Sequence, residues 1–271
     1  MAEQRTTGRI TNRFLTSTII FTISAFFAIA APMWAVKAAA ADDIIVSAAA
    51  SLTQALTAVT KAFEAEQDSV KVTLNFAASG ALLQQMESGA PVDVFLSANQ
   101  SFMNKAAEKN LIRVATRKDF VKNNLVLAVP NEAAGKITTL ADVTKKEIER
   151  VSIGHPDSVP AGRYAKQALI AANIWDAIQE KLIYGNSVRQ VLDYLMRGEV
   201  DAGLVYSTDA KLAEEKVTVV EKVATSDPIV YCLAVTASTA KEKTAQSFVD
   251  FVLSSKGQDV LAGFGFQKIG E

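Results

Sequence analysis

The chain has 271 residues, 49% of them hydrophobic, with 28 Lys or Arg against 29 Asp or Glu and a formal net charge of −1. That balance leaves no polybasic face for nucleic acid. The single cysteine, Cys232, cannot form an internal disulfide, and the single histidine, His155, rules out a His-rich metal cluster.

Taken in chain order, Arg5, Arg9 and Arg13 come first, followed by the uncharged stretch Phe14 to Ala31. Pro32, Trp34, Lys37 and the run Ala38-Ala39-Ala40-Ala41 come next. A basic start, an apolar stretch and a small-residue cleavage site predict a secretory signal peptide over residues 1–41, cut between about Ala38 and Ala41. The alternative is a retained membrane anchor. The stretch is short for a bilayer span, and Thr16, Ser17, Thr18, Thr22 and Ser24 dilute it. No Cys stands directly after the cleavage site, which argues against a lipoprotein, and the arginines are never adjacent, which argues against a twin-arginine signal. Cleavage removes Arg5, Arg9, Arg13, Lys37 and Glu3. It leaves about 230 residues with 24 basic against 28 acidic side chains, a net charge near −4. That length suits one large domain or two lobes of roughly 100 residues each.

Beyond residue 41 strands and helices alternate. Ile44–Val46 predicts a strand, and the stripe Leu52, Ala55, Leu56, Val59, Ala62, Phe63 predicts a helix over about 51–67. Val70–Phe76 alternates as a strand, Leu82, Leu83 and Met86 mark a helix, and Val92–Leu96 reads as a third strand. A helix follows through Phe102, Met103 and Ala107. After residue 123 the pattern repeats: strands at Leu125–Val129 and Val151–Ile153, with a helix expected over Leu140–Ile148 between them. Helices then run through Tyr164–Ala172 and Val188–Met196, and strands at Ala202–Tyr206, Val217–Val223 and Ile229–Val235. Helical stripes through Ala245–Val252 and Val260–Leu261 end the chain. Such alternation predicts an α/β fold of mostly parallel sheets flanked by helices. Two lobes are expected, residues 42–122 plus 236–271 and residues 123–235, with hinges near Asp119–Asn124 and Val235–Ala240. Cys232 lies in an apolar run and reads as a buried, inert thiol.

Four short segments of small residues each join an extended run to a helix. They are Ala48-Ala49-Ala50-Ser51-Leu52-Thr53, Phe76-Ala77-Ala78-Ser79-Gly80, Val159-Pro160-Ala161-Gly162 and Asn186-Ser187-Val188-Arg189. A helix start presents unpaired N–H groups and a partial positive charge, so several aimed at one point hold an anion without Lys or Arg. Ser51 with Gln54 and Ser187 with Gln190 have capping-box spacing, so each serine could simply cap its own helix. In an open sheet, however, ligands bind at the carboxyl ends of parallel strands, where these segments fall. Pro160 suits a first helical turn, and Ala161 and Val188 would donate through their main chains. Tyr206 ends a strand and is a candidate hydroxyl donor beside them.

No cofactor motif is present: there is no H-E-x-x-H and no G-x-x-x-x-G-K-[ST]. A Ser/His hydrolase would need His155 as base with Ser51 or Ser79 as nucleophile. There is no G-x-S-x-G elbow, and His155 sits in the turn Gly154-His155-Pro156-Asp157, which reads as solvated. The expectation is a protein that binds rather than an enzyme.

From about Ile44 to Ile269 the chain resembles the periplasmic molybdate-binding proteins of ABC transporters. The resemblance rests on the segments at Ala48–Thr53 and Phe76–Gly80, on Gly89-Ala90-Pro91-Val92-Asp93-Val94-Phe95, on Val159-Pro160-Ala161-Gly162-Arg163-Tyr164-Ala165 and on Gly203-Leu204-Val205-Tyr206-Ser207-Thr208-Asp209-Ala210. It implies a two-lobed periplasmic binding protein (type II) with a cleft between the lobes, working as a monomer with membrane permease subunits and without nucleic acid or cofactor. The family's contacts to molybdate or tungstate fall on the Ser51 and Ser79 hydroxyls, on the main chain at Ala161 and Val188, and on the Tyr206 hydroxyl. Molybdate is a dianion that only accepts hydrogen bonds, so a site of donors alone suits it and disfavours proton-bearing hydrogen phosphate. A receptor for sulfate or another oxyanion is the alternative within the same class.

Overall fold

The computed structural model describes residues 43–67 and 69–270; the expected signal peptide lies outside them. Among the described residues, no helix is long and apolar enough to cross a membrane. In chain order the first half runs β1 (Ile44–Ala49), a 3-10 turn (Ala50–Leu52), α1 (Thr53–Glu64), β2 (Val72–Ala77), α2 (Ser79–Glu87), β3 (Val94–Ser97), α3 (Gln100–Glu108) and β4 (Lys118–Asn123). The middle runs β5 (Leu125–Pro130), β6 (Val151–Gly154), α4 (Pro160–Ala171), α5 (Trp175–Ile178), β7 (Leu182–Gly185), α6 (Val188–Met196), β8 (Ala202–Tyr206), α7 (Ser207–Leu212) and β9 (Val217–Val223). The chain closes with β10 (Ile229–Val235), α8 (Glu242–Leu253), α9 (Ser255–Gly263) and β11 (Gln267–Lys268).

Two sheets result, of order β11-β4-β10-β3-β1-β2 and β7-β6-β8-β5-β9. Each is mixed rather than mostly parallel. A parallel trio, β2-β1-β3 in one and β7-β6-β8 in the other, is extended by antiparallel strands. Local strand–helix alternation reveals the trios, but not the strands that arrive from far along the chain. β10 is such a strand. The lobe division expected from the sequence places it with residues 123–235, yet it pairs with β3 and β4 in the first sheet. The chain therefore leaves the first sheet at Asn124 and returns over residues 224–228, not near Val235–Ala240. The crossing expected near Asp119–Asn124 falls at the end of β4.

Amphipathic helices flank both sheets. On α1, Ala55, Leu56, Val59 and Phe63 are buried, and Phe63 meets Phe248 and Phe251 of α8 edge to face. A fully buried Phe adds roughly 1.5–3 kcal/mol over an exposed one. The helix expected over Leu140–Ile148 shrinks to a 3-10 turn, Leu140–Thr144. The Asp142 carboxylate caps its start by accepting from the Thr138 and Thr139 N–H groups. The ammonium of Lys181 then donates to the carbonyls of Val143, Thr144 and Lys145, taking acceptors that a longer helix would use. Cys232 is buried, and desolvation pushes its thiol up to about 12, so it stays protonated.

Candidate functional site

The carboxyl ends of the parallel strands converge. The Ser51 turn follows β1, Ser79 follows β2, and the α4 start follows β6 through the His155 turn. The α6 start follows β7, and Tyr206 ends β8. Ser51, Ser79, Ala161, Val188 and Tyr206 line one small cavity, of about 10 Å3, together with Ala49, Ala50, Ala78, Ala98, Val159 and Pro160. All five are buried. Sites for drug-sized ligands occupy about 300–1,000 Å3, so this cavity suits only a very small ligand. Larger grooves run along α8 and beneath Gly89–Asp93, and none of the five residues lines them.

The capping reading separates the serines. Ser187 does cap α6, its Oγ accepting from the Gln190 N–H at 3.2 Å. Ser51 and Ser79 cap nothing. Ser51 lies inside the 3-10 turn, and its Oγ is 2.8 Å from the Tyr231 hydroxyl. Ser79 Oγ accepts from the Ala98 N–H at 3.1 Å, so its own proton is free for the cavity. The hydroxyl of Tyr206 is buried and has no hydrogen-bond partner. Burial, and then the neighbouring Tyr231, push its pKa far up, so it remains a neutral donor.

Helix geometry supplies the rest. Pro160 is the first residue of α4, so the Ala161 N–H belongs to the unpaired first turn. Val188 opens α6 in the same way. In α2, by contrast, the Gly80 N–H donates to the Ser158 carbonyl at 3.0 Å and ties the first half of the molecule to the second. Arg163 adds a second tie, its Nη1 donating to Ser101 Oγ at 2.7 Å. The cavity thus presents hydroxyl and N–H donors on a neutral lining.

An ion pair between a partly exposed arginine and a buried aspartate sits behind it. Arg189 Nε lies 2.7 Å from Oδ1 of Asp209, which is 0% exposed, while Arg189 Nη2 donates to the Ser51 carbonyl at 3.1 Å. Burial raises the Asp209 carboxyl from 3.8 to about 6, with the Arg189 guanidinium pulling the other way. Sequence reading missed Arg189 and Asp209 as supports, together with Asn123 and Tyr231. Arg189 and Asp209 stand inside the motifs at Asn186–Arg189 and Gly203–Ala210, and a charged side chain within those motifs was the available signal. Tyr231 lies within an apolar run and gives none. His155 does not line the cavity. Its half-exposed ring packs on Tyr184, with Nδ1 3.9 Å from Asp157.

The model of the bacterial extracellular solute-binding proteins matches residues 44–267. The molybdate-binding protein ModA of Haemophilus influenzae is 36% identical over 232 residues, covering 84% of this chain and 91% of that protein. A putative ABC transporter substrate-binding lipoprotein of Bacillus subtilis, YvgL, is 36% identical over 225 residues, 82% of this chain and 85% of that protein. Among solved structures, the substrate-binding domain of a putative molybdenum ABC transporter from Clostridium difficile aligns with a TM-score of 0.65 at 36% identity, covering 84% of this chain and 99% of that one.

Proposed function

The chain belongs to the bacterial extracellular solute-binding proteins, and from that membership we propose that it captures molybdate and passes it to the membrane subunits of an ABC transporter. The ligand contacts are the hydroxyls of Ser51, Ser79 and Tyr206 and the main-chain N–H groups of Ala161 and Val188. The observation that carries this reading is that these five residues, drawn from five strand ends, line one small cavity, where Ser79 keeps its proton free and the Tyr206 hydroxyl is buried without a partner. Relatives named for molybdate binding share about a third of its residues over most of its length. The protein works outside the cytoplasm, in the periplasm, after loss of residues 1–41, and as a monomer. Its lobes close on the anion by bending at Asn124 and at residues 224–228.

Tetrahedral dianions are held here without any buried Lys or Arg at the ligand, through charge-assisted hydrogen bonds and helix starts. Tungstate matches molybdate in charge and shape and is a second cargo. Sulfate carries the same charge but is smaller, so it reaches fewer of the donors at once.

Calorimetric titration of the mature protein with molybdate, tungstate, sulfate and hydrogen phosphate tests this. Molybdate is expected to bind well above sulfate, and sulfate binding as tightly as molybdate makes the protein a general oxyanion receptor instead. Ser51→Ala and Ser79→Ala are each expected to cost about 1.5–3 kcal/mol of molybdate binding, the range for a hydrogen bond to a charged partner. Unchanged affinity in the double variant places the site elsewhere.

A further inference from the structure

The Ser51 hydroxyl can face the cavity as a donor or as an acceptor, and its position alone does not choose. The choice is made behind it. Asn123 Oδ1 lies 2.9 Å from the Asn124 main-chain nitrogen, a group that can only donate, and 3.0 Å from Ser207 Oγ. That contact fixes the amide: the oxygen faces Asn124, and Nδ2 points the other way, toward Thr208 Oγ1 at 2.8 Å and the Tyr231 hydroxyl at 3.3 Å. Nδ2 can only donate, so the Tyr231 oxygen accepts from it. The Tyr231 proton then needs an acceptor, because both Tyr231 and Asn123 are buried and an unmet buried donor is costly. Ser51 Oγ is 2.8 Å away. Tyr206, whose ring stands against that of Tyr231, does not take the proton, since its hydroxyl has no hydrogen-bond partner.

We propose that Asn123 and Tyr231 are positioning residues that form a one-way relay, Asn123 Nδ2–H to Tyr231 O–H to Ser51 O–H, which commits Ser51 to donate into the cavity and so selects fully deprotonated tetrahedral oxyanions over proton-bearing ones. The direction is set by one main-chain N–H, that of Asn124, at the point where the chain leaves the first sheet. With Ser79 committed by the Ala98 N–H, both serines turn their single proton toward the cavity, where it suits an anion's lone pair and opposes an anion's proton. The inference rests on the oxyanion reading above but not on which oxyanion is the cargo.

The isosteric change Asn123→Asp reverses the relay. A carboxylate oxygen replaces Nδ2 and can only accept. The Tyr231 proton turns to it, the Ser51 proton turns to Tyr231, and a Ser51 lone pair faces the cavity. Calorimetry near pH 8 with molybdate, sulfate and hydrogen phosphate reads the outcome. Molybdate and sulfate are each expected to lose about tenfold or more in affinity, about the effect of one hydrogen bond to a charged group. Hydrogen phosphate is expected to lose less or to gain, so its ratio to the other two rises. Added negative charge or general loosening would lower all three together and leave the ratios fixed. Tyr231→Phe keeps the ring, cuts the relay and is expected to narrow the same ratios. In that background Asn123→Asp should no longer move them. Ratios unmoved by either single change, or moved equally by Asn123→Asp with and without Tyr231, overturn the relay. Failure of molybdate alone to bind the unaltered protein overturns the cargo assignment and leaves the sulfate-to-hydrogen-phosphate ratio as the readout of the relay.

Discussion

Arg189→Leu is expected to destabilise the protein by about 3–5 kcal/mol near pH 8, the cost of leaving a buried charge without its partner. Asp209 is fully buried and Arg189 Nε is the cation beside it. The loss should shrink in acid. Burial already holds Asp209 up at about 6 despite the guanidinium, and removing Arg189 raises it further. An acid whose folded pKa lies above its unfolded value binds more protons folded than unfolded. Stability therefore falls as pH rises from the ordinary carboxyl value of 3.8 through the folded pKa, and is level above it. The higher folded pKa of the variant extends that fall, so the gap between the two proteins widens toward alkaline pH. Denaturant unfolding of both at about pH 5 and about pH 8 measures it. A gap independent of pH, or larger in acid, rules out the ion pair as its cause. Molybdate affinity should fall as well, because Arg189 Nη2 holds the Ser51 carbonyl across from α6.

Gly162→Ala carries the second large effect. A Cβ at Gly162 would stand 1.8 Å from the Gly154 carbonyl oxygen and 2.4 Å from its carbon. Both obstacles are backbone, so no side chain can rotate aside, and α4 must lift off β6. Overpacking costs typically about 1–3 kcal/mol and occasionally more, and rigid backbone on both sides places this variant at or above the top of that range. Ala161 precedes Gly162 in α4, so its N–H leaves the cavity with the helix, and oxyanion binding should weaken more than in either serine variant. Gly263→Ala is the matched control: nothing lies within 4 Å of its Cβ, and it ends α9. It should be neutral or stabilise by up to about 1 kcal/mol. Thermal unfolding and calorimetry of the two variants side by side test the argument, and equal melting temperatures would refute it.

The five cavity residues were legible because their signal is local. A small residue between an extended run and an apolar helical stripe marks a strand end meeting a helix start, and four such segments, with Tyr206 at a further strand end, define a crevice. Ala161 and Val188 also needed the resemblance, since a main-chain donor leaves no mark of its own on residue type. Asn123 and Tyr231 were not legible. The chemistry of Tyr231 depends on Ser51, 180 residues away, and on Asn123, 108 residues away, and its own neighbours read as core. The mixed sheets escaped for the same reason, because a strand's direction relative to distant partners leaves no periodic trace. The short turn at Leu140–Thr144 depends on the ammonium of Lys181, well outside the local window.

The position of β10 has a consequence for the order in which the molecule can assemble. The second sheet needs only residues 125–223, and its first and last strands, β5 and β9, pair with each other along six positions. The first sheet has β10 at its centre, between β3 and β4, so it cannot be finished before residue 235 is available. In a chain made from its N-terminus, the lobe that starts later can be completed earlier. Until β10 arrives, β3 and β4 present unpaired edges, and they wait for a contact of long sequence separation, the slow kind to form. Pausing or truncation before β10 would therefore leave a finished second lobe attached to an open, aggregation-prone first one.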